Sequence, residues 1–329
     1  MEKKQDNLME ISDLTVRYNT DDAVVHAVNN FNLKLVRGEA RGLVGETGAG
    51  KTTLALSILR LLPERVGEVT GGSIVYDGQE LLNLPEAEML PLRGKRISMI
   101  FQDPMTSLNP TQTVGDQILE VLNLHFPEMT REEKNKRVDE MMTLVGIPPQ
   151  RKKSFPHEFS GGMKQRVVIA MALVAEPELL LADEPTTALD VTIQAQILEL
   201  MKQLREKFNT SVMLITHDLG VVAQFCDSVS VVYAGRVVEY GPVEIVFQRK
   251  ENHPYTAGLF NCIPNLHDDQ PRLHPIAGHM ADPRVEYKGC CFADRCEYAT
   301  ERWRTEAPSM HVCGEHGILC HRYAEKEEF

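Results

Sequence analysis

At 329 residues the chain exceeds one small module, and its 43% hydrophobic, 25% charged and 6% aromatic content is that of a soluble globular α/β protein, which excludes disorder as the main state. Its 35 basic and 47 acidic residues give a net charge of -12, against the basic field that general nucleic-acid affinity requires. The longest apolar run, nine residues from Val167 to Ala175, falls far short of the ~20 that a membrane helix needs. The start, Met1-Glu2-Lys3-Lys4, lacks the apolar segment of a secretory signal, so the expectation is a cytosolic chain.

From Leu8 to about Gly45 the pattern predicts short strands, including Val24 to Val28 and Phe31 to Leu35, suited to an antiparallel sheet edge. Ala40 to Val44 reads as a strand that ends in a glycine-rich loop, followed by a helical pattern through Leu54, Ile58, Leu61 and Leu62. Between about Thr111 and Phe155 the periodicity becomes that of amphipathic helices, with Val114, Ile118, Val121 and Leu122 on one face, then Val138, Met141, Met142 and Val145 on another. Leu179 to Asp183 and Val212 to Ile215 are buried-type strands, which after helical stretches indicate a parallel sheet. Gly235-Arg236 looks like a hairpin turn, and after His253-Pro254-Tyr255 the prolines at 264, 271, 275 and 283 mark an irregular linker.

Gly45-Glu46-Thr47-Gly48-Ala49-Gly50-Lys51-Thr52-Thr53 fits the phosphate-loop pattern between a strand and a helix. Glycines let backbone amides curl around phosphate oxygens, Lys51 supplies a cation to the β- and γ-phosphates, and the Thr52 hydroxyl suits a magnesium ion. Further on, Asp183 and Glu184 end a buried strand with their side chains leaving in different directions. Asp183 is expected to hold magnesium, and Glu184 to polarise an attacking water.

Phe159-Ser160-Gly161-Gly162-Met163-Lys164-Gln165-Arg166 resembles the signature sequence of ABC-type ATPases, lying just before the acidic strand as in that family. Other motifs follow in order. Tyr18 resembles the adenine-stacking aromatic, Gln102 the Q-loop glutamine that also reaches magnesium, Ala188-Leu189-Asp190 the D-loop, and His217 the switch histidine. Phe101 to Pro110 and His253 to Leu259 resemble the branch that powers oligopeptide and dipeptide import. The resemblance implies an α/β fold with a RecA-like core, an antiparallel β edge and a helical subdomain at about 111–160. It implies an ATPase domain over 1–252 and a small cysteine-rich extension over 253–329.

The same resemblance implies head-to-tail pairing with a second, paralogous ATPase, two ATP molecules lying between Lys51-type residues of one subunit and Ser160-type residues of the other. It implies two membrane permeases, met near Gln102 to Pro110, and an extracytoplasmic peptide-binding protein. The chain would sit peripherally on the cytoplasmic face of the membrane. A soluble ABC ATPase acting on ribosomes or DNA is the rival reading; one phosphate loop, no long coiled-coil insertion and the acidic balance count against it.

Five of the seven cysteines lie in the last forty residues or so, a clustering that in a reducing compartment points to metal rather than disulfides. Cys226 and Cys262 read as buried small hydrophobes. The tail resembles an iron–sulfur extension of such importers, with Trp303 where that pattern has its third cysteine and Cys313 additional. The expected ligands of one [4Fe-4S] cluster are Cys290, Cys296, Cys313 and Cys320, with Cys291 as the substitute for Cys290, and zinc or a metal-free tail as alternatives.

Overall fold

The computed structural model describes residues 6–187, 189–248, 250–263 and 275–324. Ala188 of the expected D-loop, the linker prolines Pro264 and Pro271, and the first five residues of the chain lie outside them. The strands are β1 (Asn7–Asn19), β2 (Val24–Val36), β3 (Ala40–Val44), β4 (Gly67–Tyr76), β5 (Gln79–Glu80), β6 (Ile97–Ile100), β7 (Leu179–Asp183), β8 (Ser211–Thr216), β9 (Ser228–Tyr233), β10 (Arg236–Pro242), β11 (Met310–Cys313) and β12 (His316–Leu319). The helices are α1 (Lys51–Ile58), α2 (Glu86–Met89), α3 (Pro104–Ser107), α4 (Val114–His125), α5 (Arg131–Leu144), α6 (Gly161–Leu173), α7 (Val191–Phe208), α8 (Leu219–Phe225), α9 (Val243–Phe247), α10 (Pro254–Asn261) and α11 (Glu301–Thr305).

Two compact units emerge: Met1–Asp6, Leu35–Ala40 and Asn83–Ile215 form one, and Asn7–Lys34, Arg41–Leu82 and Thr216–Phe329 the other. In the first, β6, β7 and β8 run parallel, with every residue of β7 and β8 buried. Such runs carry no alternation because both faces of a parallel sheet are covered. Helix α6 packs on β6 and α7, and α4 and α5 pack on α6. Thr113 caps α4 by accepting the Asp116 N–H, and Thr130 and Glu133 form a reciprocal capping box at α5. Val114, Ile118 and Leu122 of the expected face are buried, as are Val138, Met141, Met142 and Val145.

The second unit holds the antiparallel sheet β2-β1-β4-β5, in which β1 faces β4 in the register Met9 opposite Tyr76. It also holds β3 parallel to β9, with β10 antiparallel to β9. The hairpin turn between β9 and β10 is Ala234-Gly235, with φ of 47° and 74°, and Arg236 already belongs to the strand opposite Tyr233. This corrects the Gly235-Arg236 assignment. Two consecutive positive φ values match the twist of a tight hairpin, and an alanine gives no sequence warning of one.

Beyond the irregular linker the C-terminal segment adds to the sheet. Strands β11 and β12 form a hairpin, and β12 adds to β10, pairing Glu239 with Ile318 and Tyr240 with Gly317. Glu239, fully buried, accepts hydrogen bonds from Asn252 Nδ2 (2.7 Å) and the His253 N–H (2.8 Å), and lies 2.8 Å from His316 Nε2. A buried carboxylate is tolerable only with such partners. His253 in turn caps α10, its Nδ1 accepting the Tyr255 N–H at 3.1 Å.

Burial, reinforced by the positive charge of Arg322, holds the His253 imidazole down at about 3, against an ordinary value of 6.5. The folded chain therefore favours the neutral ring, while the unfolded chain protonates first as pH falls. The contribution to stability is complete above pH 6.5 and is lost progressively towards pH 3, at up to about 1.4 kcal/mol per pH unit. Equilibrium unfolding at pH 7.5 and 5.5 should show a larger loss for the wild type than for His253→Asn; equal losses would assign the pH dependence elsewhere.

Candidate functional site

The phosphate loop leaves β3 and enters α1 through Gly50, whose φ is 94°. A Cβ there would lie 2.2 Å from the Ala27 carbonyl oxygen, and one on Gly45 would lie 2.2 Å from that of Val232. Both positions need glycine because backbone passes backbone at contact distance. Over Gly48 there is open space, with no atom within 4 Å of an added Cβ.

Lys51 is 7% exposed and turns back over the loop, its Nζ donating to the carbonyls of Gly45 (2.6 Å) and Glu46 (3.0 Å). Thr52 is exposed on the first turn of α1, and the neighbouring Thr53 accepts the Tyr18 hydroxyl at 3.0 Å. Tyr18 is thus tied to the helix that follows the loop. An open face, inward glycine backbone, a helix start and one buried lysine fit a magnesium-bound polyphosphate.

In the first unit, Asp183 ends β7 at 2% exposure. Glu184 then takes φ 48°, with its N–H donating to the Ile215 carbonyl, so the two carboxylates diverge as expected. Glu184 Oε2 accepts from Thr187 Oγ1 (2.8 Å) and from Gln102 Nε2 (3.3 Å). Gln117, unremarked in the sequence because it lies on a polar-looking turn of α4, is buried and pins the segment after Gln102. Its amide donates to the Asn109 and Gln112 carbonyls and its oxygen accepts the Asn109 N–H.

Ser160 and Gly161 are exposed at the start of α6, and a Cβ on Gly162 would meet the Ile193 side chain at 2.6 Å. Asp190 caps α7 by accepting the Ile193 N–H at 3.0 Å, so the signature turn and the D-loop share Ile193 as a packing point. His217, exposed just after β8, belongs to the second unit. Its neighbours are fixed: Asp218 accepts the Gly220 and Val221 N–H groups and donates its own N–H to Thr216 Oγ1.

Two residues of the extension that sequence patterns did not single out for the site reach the phosphate loop. The Glu46 N–H donates to Tyr255 Oη at 2.9 Å, and the Glu46 carboxylate is clasped by Arg295 at 2.7 and 3.2 Å. No local motif announces such pairs, since 209 and 249 residues separate them.

Three of the four expected cluster cysteines lie close together in the extension. Cys290, Cys296 and Cys320 share one neighbourhood: burial raises all three thiols, Cys320 to about 11, and their mutual repulsion adds to it. Cys313 stands on the outer strand β11 opposite His316, and Cys320 packs with Ile318 and Tyr323. Cys291, the expected substitute, is buried with its thiol pushed up to about 12, and its Sγ faces the Tyr233 carbonyl. Trp303, at the resembling pattern's third cysteine, stacks on His321 with ring centroids 5.3 Å apart. Among the described residues no group of three or more His, Cys, Asp or Glu side chains is arranged to hold a metal ion. Cys262, expected buried, is half-exposed at the end of α10, whereas Cys226 is buried as expected.

The phosphate loop, the acidic strand end, the signature turn and the parallel sheet define an ABC-type ATPase. A family profile described as ABC transporter matches residues 28–187, and one described as Oligopeptide/dipeptide transporter, C-terminal region, matches 238–302. The chain is 47% identical to the oligopeptide transport ATP-binding protein OppD of Haemophilus influenzae over 98% of each chain. It is 49% identical to the dipeptide transport ATP-binding protein DppD of Bacillus subtilis over 88% of this chain and 87% of that one. Among solved structures, the ATP-binding cassette MJ0796 bound to ADP and Pi matches with a TM-score of 0.64 and 28% identity, covering 71% of this chain and 98% of that one. CbiO1 of Clostridium perfringens matches with a TM-score of 0.65 and 30% identity, over 75% and 93%. The chain belongs to the family of ATP-binding subunits of oligopeptide/dipeptide ABC transporters, and its activity is ATP hydrolysis. No helix among the described residues is long and apolar enough to cross a membrane.

The close approach at Gly50 sets a specific expectation. Gly50→Ala should lower folding stability by about 2 kcal/mol or more, through positive φ and overlap with Ala27, and abolish tight nucleotide binding. Chemical unfolding and ATP titration check both; wild-type affinity would remove the geometric argument.

Proposed function

We propose that this chain is one of two paralogous ATPase subunits that drive peptide uptake through two membrane permeases, fed by an extracytoplasmic peptide-binding protein. Residues 1–252 form the motor and 253–329 the extension, seated peripherally on the cytoplasmic face of the membrane. The observation that carries this reading is the hydrogen bond from Gln102 Nε2 to Glu184 Oε2. It ties the residue that leads into the Phe101–Pro110 segment to the carboxylate assigned to water activation. Exposed Phe101 and Leu124, at 48% and 70%, supply apolar surface on the same unit for a permease contact.

Roles follow from chemistry. Loop amides between Gly45 and Thr53 and the Lys51 ammonium bind the phosphates of ATP, and Tyr18 stacks on the adenine. Thr52, Asp183 and Gln102 hold magnesium, which neutralises charge on the β- and γ-phosphate oxygens when bound. Glu184 orients the attacking water and takes its proton, with His217 at the γ-phosphate. Ser160, Gly161 and Gly162, at a helix start, meet the ATP of the other subunit, with Asp190 holding that boundary. Closure of two subunits around two ATP molecules pulls on the permeases, and hydrolysis releases them.

In the assembled transporter, Glu184→Gln should retain ATP affinity and lose about 100-fold or more in ATP turnover and peptide uptake. Turnover at the wild-type rate would overturn the assignment of Glu184. Purified from its native membrane, the chain should carry two permeases and a second ATPase; recovery with ribosomes or DNA instead would overturn the importer reading.

A further inference from the structure

The extension and the phosphate loop meet at one residue. Glu46 is held twice from outside the loop: its N–H donates to Tyr255 Oη at 2.9 Å, and both carboxylate oxygens take the Arg295 fork at 2.7 and 3.2 Å. The Arg295 side chain is 4% exposed, and its Nε donates to the Ala277 carbonyl at 3.2 Å. Its guanidinium lies over Tyr233 and Phe292, 5.8 and 6.0 Å from their centroids. Tyr255 is fully buried against Tyr233 and Phe292, at 4.7 and 5.6 Å. The clasp is therefore built into an aromatic cluster and is not a surface ion pair, which would contribute little.

We propose that Arg295 and Tyr255 are positioning residues for nucleotide: the C-terminal extension sets the conformation of the phosphate loop and neutralises the carboxylate that Glu46 carries beside bound polyphosphate. This rests on the ATP-site reading above. The argument is electrostatic and geometric. A carboxylate on a loop that wraps a polyanion repels it unless a cation is paired to it. Arg295 is that cation, its guanidinium 2.7 and 3.2 Å from the two Glu46 carboxylate oxygens. The Glu46 N–H, given to Tyr255, anchors the loop to the extension. The Glu46 carbonyl also accepts Lys51 Nζ, so fixing Glu46 fixes the lysine as well.

The test is ATP titration of the full chain in the assembled transporter, with thermal unfolding alongside. Arg295→Gln should weaken ATP binding about tenfold, with the defect shrinking at high salt. The double variant Arg295→Gln/Glu46→Gln should recover to within about threefold of wild type, because the unpaired carboxylate is gone. An Arg295→Gln affinity within twofold of wild type overturns the proposal, as does a double variant as weak as Arg295→Gln. If Arg295→Gln does not fold, Tyr255→Phe gives the second arm. Amide exchange at Glu46 should accelerate and ATP affinity fall about fivefold; no change in either overturns the proposal. A folded wild type that fails to bind ATP would remove the ATP-site reading itself, an outcome distinct from wild-type binding that survives Arg295→Gln.

Discussion

A loop that turns its amides towards a ligand gives up the hydrogen bonds that would otherwise hold its own shape. Everything around residues 45–53 answers that deficit. Glycine backbone at Gly45 and Gly50 presses on the Val232 and Ala27 carbonyls. The Gly235 N–H donates to the Ala49 carbonyl, and Lys51 spans Gly45 and Glu46. Strand ends and a C-terminal segment are thereby recruited to hold one anion-binding turn, and the cost of ordering it is met during folding and not at the moment of binding.

The acidic strand end follows a related logic with a different solution. Asp183 remains in a fully buried strand, while the positive φ of Glu184 swings the next carboxylate out to where Gln102 and Thr187 meet it. Strain confined to a single residue separates two like charges that sequence places side by side. Gln117 then fastens the Asn109–Gln112 stretch through three hydrogen bonds, backing the region after Gln102.

Local pattern was enough to read the strand–loop–helix around Lys51, the buried runs of β7 and β8 and the two amphipathic helices, because each is specified by neighbours within a few residues. Tyr255 and Arg295 escaped because their partner lies over 200 positions away, and Gln117 because a buried glutamine looks like any exposed one until its acceptors are known. Composition counts thiols without their directions: β11 carries Cys313 to the outer strand, and Trp303 and His321 stack face to face. The β11–β12 hairpin was not legible either, since its strands are four residues each and draw their order from β10.

That hairpin bears on how the chain avoids unwanted association. Without β12, the hydrogen-bonding groups of β10 would form an open seam able to recruit strands from other molecules. Buried Glu239, joined to His316 across the β10–β12 pair, fastens the cover at its middle. What remains outermost is β11, too short to serve as a long template and followed by a glycine turn. The extension thus works as a selvedge, ending the sheet cleanly.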